Sequence, residues 1–211
     1  MMKRLFRVSR WLLVALAVTV LTAIVAHLAL GPSSHAADAE QYAVLSAYIE
    51  PGLTGYSHDL GRREGLVVIA ARTTFSQPIL NSNKFKQYTS LVLSTGHAKA
   101  TIRQLSRSLV FEFWVTNLWD VTLKPKFRLP ARYELAAEDE MKLYPYEGFF
   151  KRFPNSYGAL TFSRVAFNRE LTEAFFYTEH LCGLCGEGKF VYMRKTAGKW
   201  AVADAAGTWI S

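Results

Sequence analysis

The sequence predicts an α+β fold: helices packed on one face of a curved antiparallel sheet that ends in a four-stranded meander. Three observations carry this. The last third holds four runs rich in aromatic and β-branched residues: ALTFSRVAFN (159–168), EAFFYTEHL (173–181), GKFVYMRK (188–195) and KWAVADAAGTWIS (199–211). Only the short turn-forming pieces NREL, CGLCGE and TAG separate them, so successive strands fold back on one another. Helical patterns precede them, without the strand–helix alternation of a parallel sheet.

The elements follow in order. AEQYAVLSAYIEPG (39–52) reads as a helix: Tyr42, Leu45 and Ile49 share a face, Asp38 caps the start, and Pro51-Gly52 stops it. Residues 53–65 read as a loop. LVVIAART (66–73) is a short branched run and reads as a buried strand. Residues 74–97 follow no clear period. From Lys99 to Leu118, Ile102, Leu105, Leu109, Phe113 and Trp114 recur at three- and four-residue steps, which predicts one long helix. KFRLPARYEL (126–135) reads as a strand with Pro130 at an edge or bulge, and YEGFFKRF (146–153) as a short helix ended by Pro154. Asn168 is placed to close the hairpin between the first two C-terminal strands, because asparagine tolerates left-handed backbone. A cone-like sheet of the nuclear-transport-factor or cystatin type is similar to this arrangement.

The N-terminus sets the compartment. MMKRLFRVSR carries Lys3, Arg4, Arg7 and Arg10 and no acid; the apolar run WLLVALAVTVLTAIVAHLAL (11–30) and the small-residue stretch GPSSHAADAE follow. That order is an export signal. A small-x-small site ends at Ala36 and another at Ala39, yet twenty helical residues rise about 30 Å, enough to span a bilayer. Residues 1–36 are therefore a signal peptide or a signal anchor, and 37–211 a single exported domain, periplasmic or anchored to the inner membrane from outside the cytoplasm. No lipobox cysteine follows the apolar run, which excludes a lipid anchor there. Export also changes the charge balance. The 211 residues carry +8, but four of the 25 basic residues lie in the first ten positions and no acid precedes Asp38, leaving 21 basic against 17 acidic residues, net +4. The charges are interspersed, which argues against nucleic acid. The densest basic cluster, KPKFR (124–128), reads as a lysine-guarded strand edge.

The chemistry-bearing residues are few. Both cysteines lie in HLCGLCGEGK (180–189). A redox CxxC starts a helix, whereas strand patterns flank Cys182 and Cys185. His180, Cys182 and Cys185 make an H-x-C-x-x-C cluster, but a structural zinc site needs a fourth ligand, and the other exported histidines, His58 and His97, are remote in sequence. In an oxidising compartment the expectation is a Cys182–Cys185 disulfide across a hairpin loop, with no metal and no cofactor. Ser156 and Ser163 lack the Gly-x-Ser-x-Gly context of a hydrolase nucleophile; Ser156 suits a turn and Ser163 the middle of a strand. Glu138-Asp139-Glu140 reads as a solvated charged run. Phe149, Phe150, Phe162, Phe167, Phe175, Phe176, Phe190 and Tyr192 read as core, although a concave aromatic sheet also suits an apolar ligand.

FPNSYGALTFSRVAFN, AFFYTEHLCGLCGEGKFVYMRK and the closing GKW…TWIS resemble an uncharacterised family of exported bacterial proteins, over residues 145–211. The resemblance implies export and no particular activity. The expectation is a cell-envelope protein, a non-enzymatic binding or interaction module whose partner is a small apolar ligand or an envelope protein. The alternative is an enzyme, such as a hydrolase, with a site scattered over the fold. An open pocket with convergent groups, and whether His58, His97 or Arg164 face it, separates the two.

Overall fold

The computed structural model describes residues 18, 22, 34–59, 65–74, 84–144, 147–182 and 186–210. The expected export segment therefore lies almost wholly outside the described residues. Among the described residues no helix is long and apolar enough to cross a membrane.

Helix α1 spans Ser34–Asp59. Its buried residues Gln41, Tyr42, Leu45, Ser46 and Ile49 recur at helical steps and form the inward stripe. The helix begins before the expected domain boundary at residue 37, and Asp38 lies within it; the Asp38 carboxylate accepts from Lys126 at 2.9 Å. Pro51 does not stop α1 but lies inside it. Having no N–H, Pro51 leaves the carbonyl of Ala47 without its helical donor, and packing of the preceding turns on the sheet outweighs that loss. Polar side chains on the buried stripe tie α1 to irregular backbone. Tyr42 Oη accepts from Lys124 N (2.7 Å), Ser46 Oγ from Arg128 N (2.9 Å) and Gln41 Oε1 from Val165 N (3.3 Å). Residues 124–128 are thus a bound loop rather than a strand, with Phe127 buried edge-on against Tyr42.

Strand β1 (Leu66–Ala70) is buried at all five positions, as expected of a strand covered on both faces. Helices α2 (Lys84–Thr101) and α3 (Arg107–Thr116) follow. The single helix expected over 99–118 is broken because Ser106 takes extended backbone and its Oγ caps Leu109 N at 3.1 Å. Strand β2 is short (Tyr133–Ala136), and α4 (Glu138–Met141) and α5 (Glu147–Arg152) lead to β3 (Ser156–Phe162). Then come β4 (Ala166–Phe167), β5 (Glu173–Leu181), β6 (Glu187–Thr196) and β7 (Lys199–Ile210).

The seven strands form one open sheet in the order β2-β1-β3-β5-β6-β7, with β4 beside β5. The α+β class stands, but the sheet is mixed: β1 runs parallel to both β2 and β3, whereas β3, β5, β6 and β7 pair antiparallel in turn. The crossover from β1 to β2 through α2 and α3 is the strand–helix alternation that the sequence pattern hid. The helices also cover both faces, not one. Val44, Leu45 and Ile49 of α1 pack with Phe162, Phe176 and Val191 on one side. Ile102, Leu109 and Phe113 of the α2–α3 region pack with Phe175, Phe190 and Tyr192 on the other, and Met141, Phe149 and Phe153 extend that layer over β1. This is why β5 is buried at almost every position: adjacent residues each meet a helical layer. Of the aromatic residues expected in the core, only Phe150 lies largely outside it.

The run 159–168 is interrupted at Ser163–Val165. Ser163 Oγ accepts from Tyr177 N (2.8 Å) and donates to Arg164 O (3.0 Å), so the side chain bonds β5 where the ladder fails. Asn117, at the end of α3, accepts from Arg164 N through Oδ1 and donates to Arg164 O through Nδ2. The break is gripped from both helical layers, because Gln41 of α1 holds the next residue. At the following turn Asn168 Oδ1 accepts from Thr172 N and Glu173 N, but Leu171 rather than Asn168 takes the positive φ, 54°.

Candidate functional site

A cavity of about 360 Å³ lies between the C-terminal half of α1 and the sheet. Strand alternation builds its floor. Val67 of β1, Leu160 of β3 and Val191 of β6 point to the α1 side, as their neighbours in that layer do. Tyr48, Ile49 and Leu53 of α1 form the roof, with Pro51 and Gly52 between them, and Val202 and Ala205 of β7 close one flank. Tyr48 is held edge-on by Phe176 at 5.4 Å and Phe162 at 6.2 Å.

The polar lining gathers at one end. His180 of β5 stands opposite Glu187 of β6 in the antiparallel register, and Lys189 comes one pleat further along β6. Lys189 and Glu187 form an ion pair, the lysine side chain 27% exposed and the glutamate 38%. Along β6 the lining therefore changes from Glu187 through Lys189 to fully buried Val191. Four strand residues cover roughly 13 Å. The β5–β6 loop carrying the cysteines joins the two strands at this end.

Gly158 of β3 also lines the cavity and brings β3 against β5. Its φ is +100°, and a Cβ there would lie 1.9 Å from Leu181 O and 2.9 Å from Cys182 Cα. Only glycine fits that approach.

The sequence-picked residues divide clearly. His180 lines the cavity, whereas His97 is exposed on α2 and Arg164 sits at the Ser163 break, where it donates to Thr116 O at 2.8 Å and covers the Trp119 ring at 5.7 Å. Burial pulls the Arg164 guanidinium below its usual pKa. Nothing is described of the His58 side chain. Cys182 is half-buried just beyond the end of β5, and Cys185 lies outside the described residues, as do Gly183 and Leu184. Among the described residues no cysteine has a free thiol, and no group of three or more His, Cys, Asp or Glu converges to hold a metal ion. Ser163 is wholly buried and its Oγ is occupied by backbone. Ser156 opens β3, with its Oγ buried and without a hydrogen-bond partner among the described residues, so the turn role expected of that hydroxyl is not seen. Of the charged run, Glu138 and Asp139 are solvated, but Glu140 accepts from Ala137 N at 2.9 Å and from Arg152 Nε at 2.6 Å, tying α4 to α5.

Two further polar clusters carry no motif in the sequence. On the α2–α3 side, Glu179 is 2% exposed and accepts from Tyr177 Oη (3.0 Å) and Thr161 Oγ1 (3.4 Å), while Tyr177 Oη accepts from Trp209 Nε1 (3.1 Å). Burial raises the Glu179 carboxyl pKa, more than the bonds from Tyr177, Trp209 and Thr161 lower it. Burial and the nearby Glu179 charge raise Tyr177. Gly188 leaves the space for this cluster, because a Cβ there would lie 2.1 Å from Trp209 Nε1 and 2.4 Å from Tyr177 Oη. The cluster ties β3, β5 and β7 together. On the α1 side, Glu40 accepts from Lys195 Nζ (2.6 Å) and Trp200 Nε1 (2.7 Å). Burial works to raise the Glu40 pKa, but those two bonds and the lysine charge outweigh it and hold the carboxyl below its usual range. The alternating strand pattern is the available signal for the first, since it sets Tyr177 and Glu179 on one face of β5.

The chain matches no protein-family model, no curated protein and no solved structure.

Proposed function

We propose that this protein is an exported, cell-envelope binding module that holds a small apolar molecule between α1 and the sheet, without catalysing a reaction. The observation that carries the proposal is the cavity itself. Its volume lies in the range of small-molecule sites, and its walls are aliphatic and aromatic with a few polar groups at one end. Strands β1, β3 and β6 serve as the floor, and the C-terminal half of α1 as the roof. An enzymatic reading has less support: the cavity's polar side chains are Tyr48, His180 and the Glu187–Lys189 ion pair, and Ser163 is committed to backbone.

A titration with the neutral fluorophore N-phenyl-1-naphthylamine tests the binding reading. Saturable binding at one site is expected. Val202→Trp, at a cavity-lining position that is 48% exposed, should weaken it by about tenfold while leaving the melting temperature nearly unchanged. Leu93→Ala, an exposed apolar residue on α2, should not alter it. The reading fails if no saturable binding occurs, or if Val202→Trp binds like the parent protein.

Export is part of the same proposal, as is the kinship of residues 145–211 with an exported bacterial family. It rests on the basic, apolar and small-residue order of the N-terminus. With it goes a Cys182–Cys185 bridge closing the β5–β6 loop beside the cavity. Such a short loop contributes little chain entropy, roughly 2 kcal/mol. Thiol titration of the denatured, unreduced protein purified from its own cells should detect no free thiol. Two free thiols would reject the bridge and speak against the oxidising compartment.

A further inference from the structure

We infer that the cavity's occupant is an amphiphile with one anionic head group, its head on Lys189 and its tail on Val191, Ala205 and Val202, the lining residues one and two rows further in. This rests on the cavity reading above and adds the ligand's chemical class. The lining is polarised by strand register. The row nearest the β5–β6 loop holds Leu160, His180 and Glu187 as cross-strand neighbours, and the next row holds Lys189 opposite Thr178. One row deeper Phe176 faces Val191, both fully buried beneath α1. Inward from Lys189 the strand lining is Val191, Ala205 and Val202, so a molecule lying along it is polar at the Lys189 end and apolar beyond.

The sign of the head follows from the ion pair. Glu187 and Lys189 are the carboxylate and the ammonium of the lining, with the His180 imidazole beside them. Of the pair, Glu187 is the more exposed, so its carboxylate can turn to water when another anion arrives. The Lys189 side chain is the more enclosed of the two and lines the cavity. An anionic head replaces one charge-assisted hydrogen bond with another, and His180 stands across the strands as a further polar contact. A cationic head would instead take Glu187 and leave the enclosed ammonium unpaired.

Calorimetric titration of the full-length protein with dodecanoate, dodecyl phosphate, dodecanol and dodecyltrimethylammonium tests the inference, since the four share one tail. At least one of the two anions should bind about tenfold more tightly than dodecanol, and their ranking separates a carboxylate from a phosphate ligand. Lys189→Met should erase that advantage while leaving dodecanol binding intact. Glu187→Gln should strengthen anion binding. Dodecanol or the ammonium binding as tightly as both anions overturns the inference but leaves the cavity reading standing, as does an anion preference that survives Lys189→Met. If none of the four binds, the cavity reading falls with it.

Discussion

Gly158→Ala should destabilise the protein by roughly 3–5 kcal/mol, more than most single surface changes anywhere on the chain. Two costs add. The backbone at +100° is a conformation that side chains resist, and the new Cβ would lie 1.9 Å from the carbonyl oxygen of Leu181. That oxygen belongs to a strand paired with β3 on one side and β6 on the other, so it cannot yield without opening the sheet. Thermal unfolding followed by circular dichroism should show a melting temperature lower by roughly 10 °C or more. Gly207→Ala is the control, because nothing lies within 4 Å of a Cβ there. Equal melting temperatures for the two variants would show that the β3–β5 approach is not as close as described. The same change should distort the cavity, which Gly158 lines.

Phe190→Ala should cost roughly 3–5 kcal/mol. Phe190 is fully buried in β6, stacked on Phe175 at 5.4 Å, edge-on to Phe113 at 5.8 Å and against Tyr177 at 5.0 Å. Removing the ring loses its burial and leaves a void that α3 and β5 are too tightly packed to fill. Denaturant unfolding should show a lower midpoint with an unchanged slope. Phe150→Ala, at a position 39% exposed, should cost less than about 1 kcal/mol. A Phe190→Ala midpoint no lower than that of Phe150→Ala would contradict the three-layer packing.

Local patterns were legible in the sequence and long-range partners were not. β5, β6 and β7 were readable because their runs are long and their turns short: Ala197 and Gly198, at φ 48° and 77°, turn β6 into β7. β1 was readable as buried, but its parallel neighbours were not, because β2 has only four residues and arrives after two intervening helices. Pro51 was misread because a local stop signal was outweighed by the packing of α1 on the sheet. The break between α2 and α3 was hidden because Ile102 and Leu105 keep the helical spacing through it, and both stay buried although neither is helical. Ser163 was seen as a mid-strand residue, and its use in place of a ladder bond needed Tyr177, fourteen residues later. The cavity was anticipated only as an apolar sheet face. Its charged end depends on His180 and Glu187 meeting across a hairpin, and its roof on α1 crossing a sheet that begins after it in the chain.

The most direct test of the cavity is a methyl-resolved NMR titration of the protein with dodecanol. Saturable shifts are predicted at the cavity methyls of Val67, Leu160, Val191 and Val202, while those of Leu105, Leu109 and Val110, buried on the opposite face, stay in place. Shifts confined to the opposite face, or no saturable shift at any of these methyls, would contradict a binding site between α1 and the sheet.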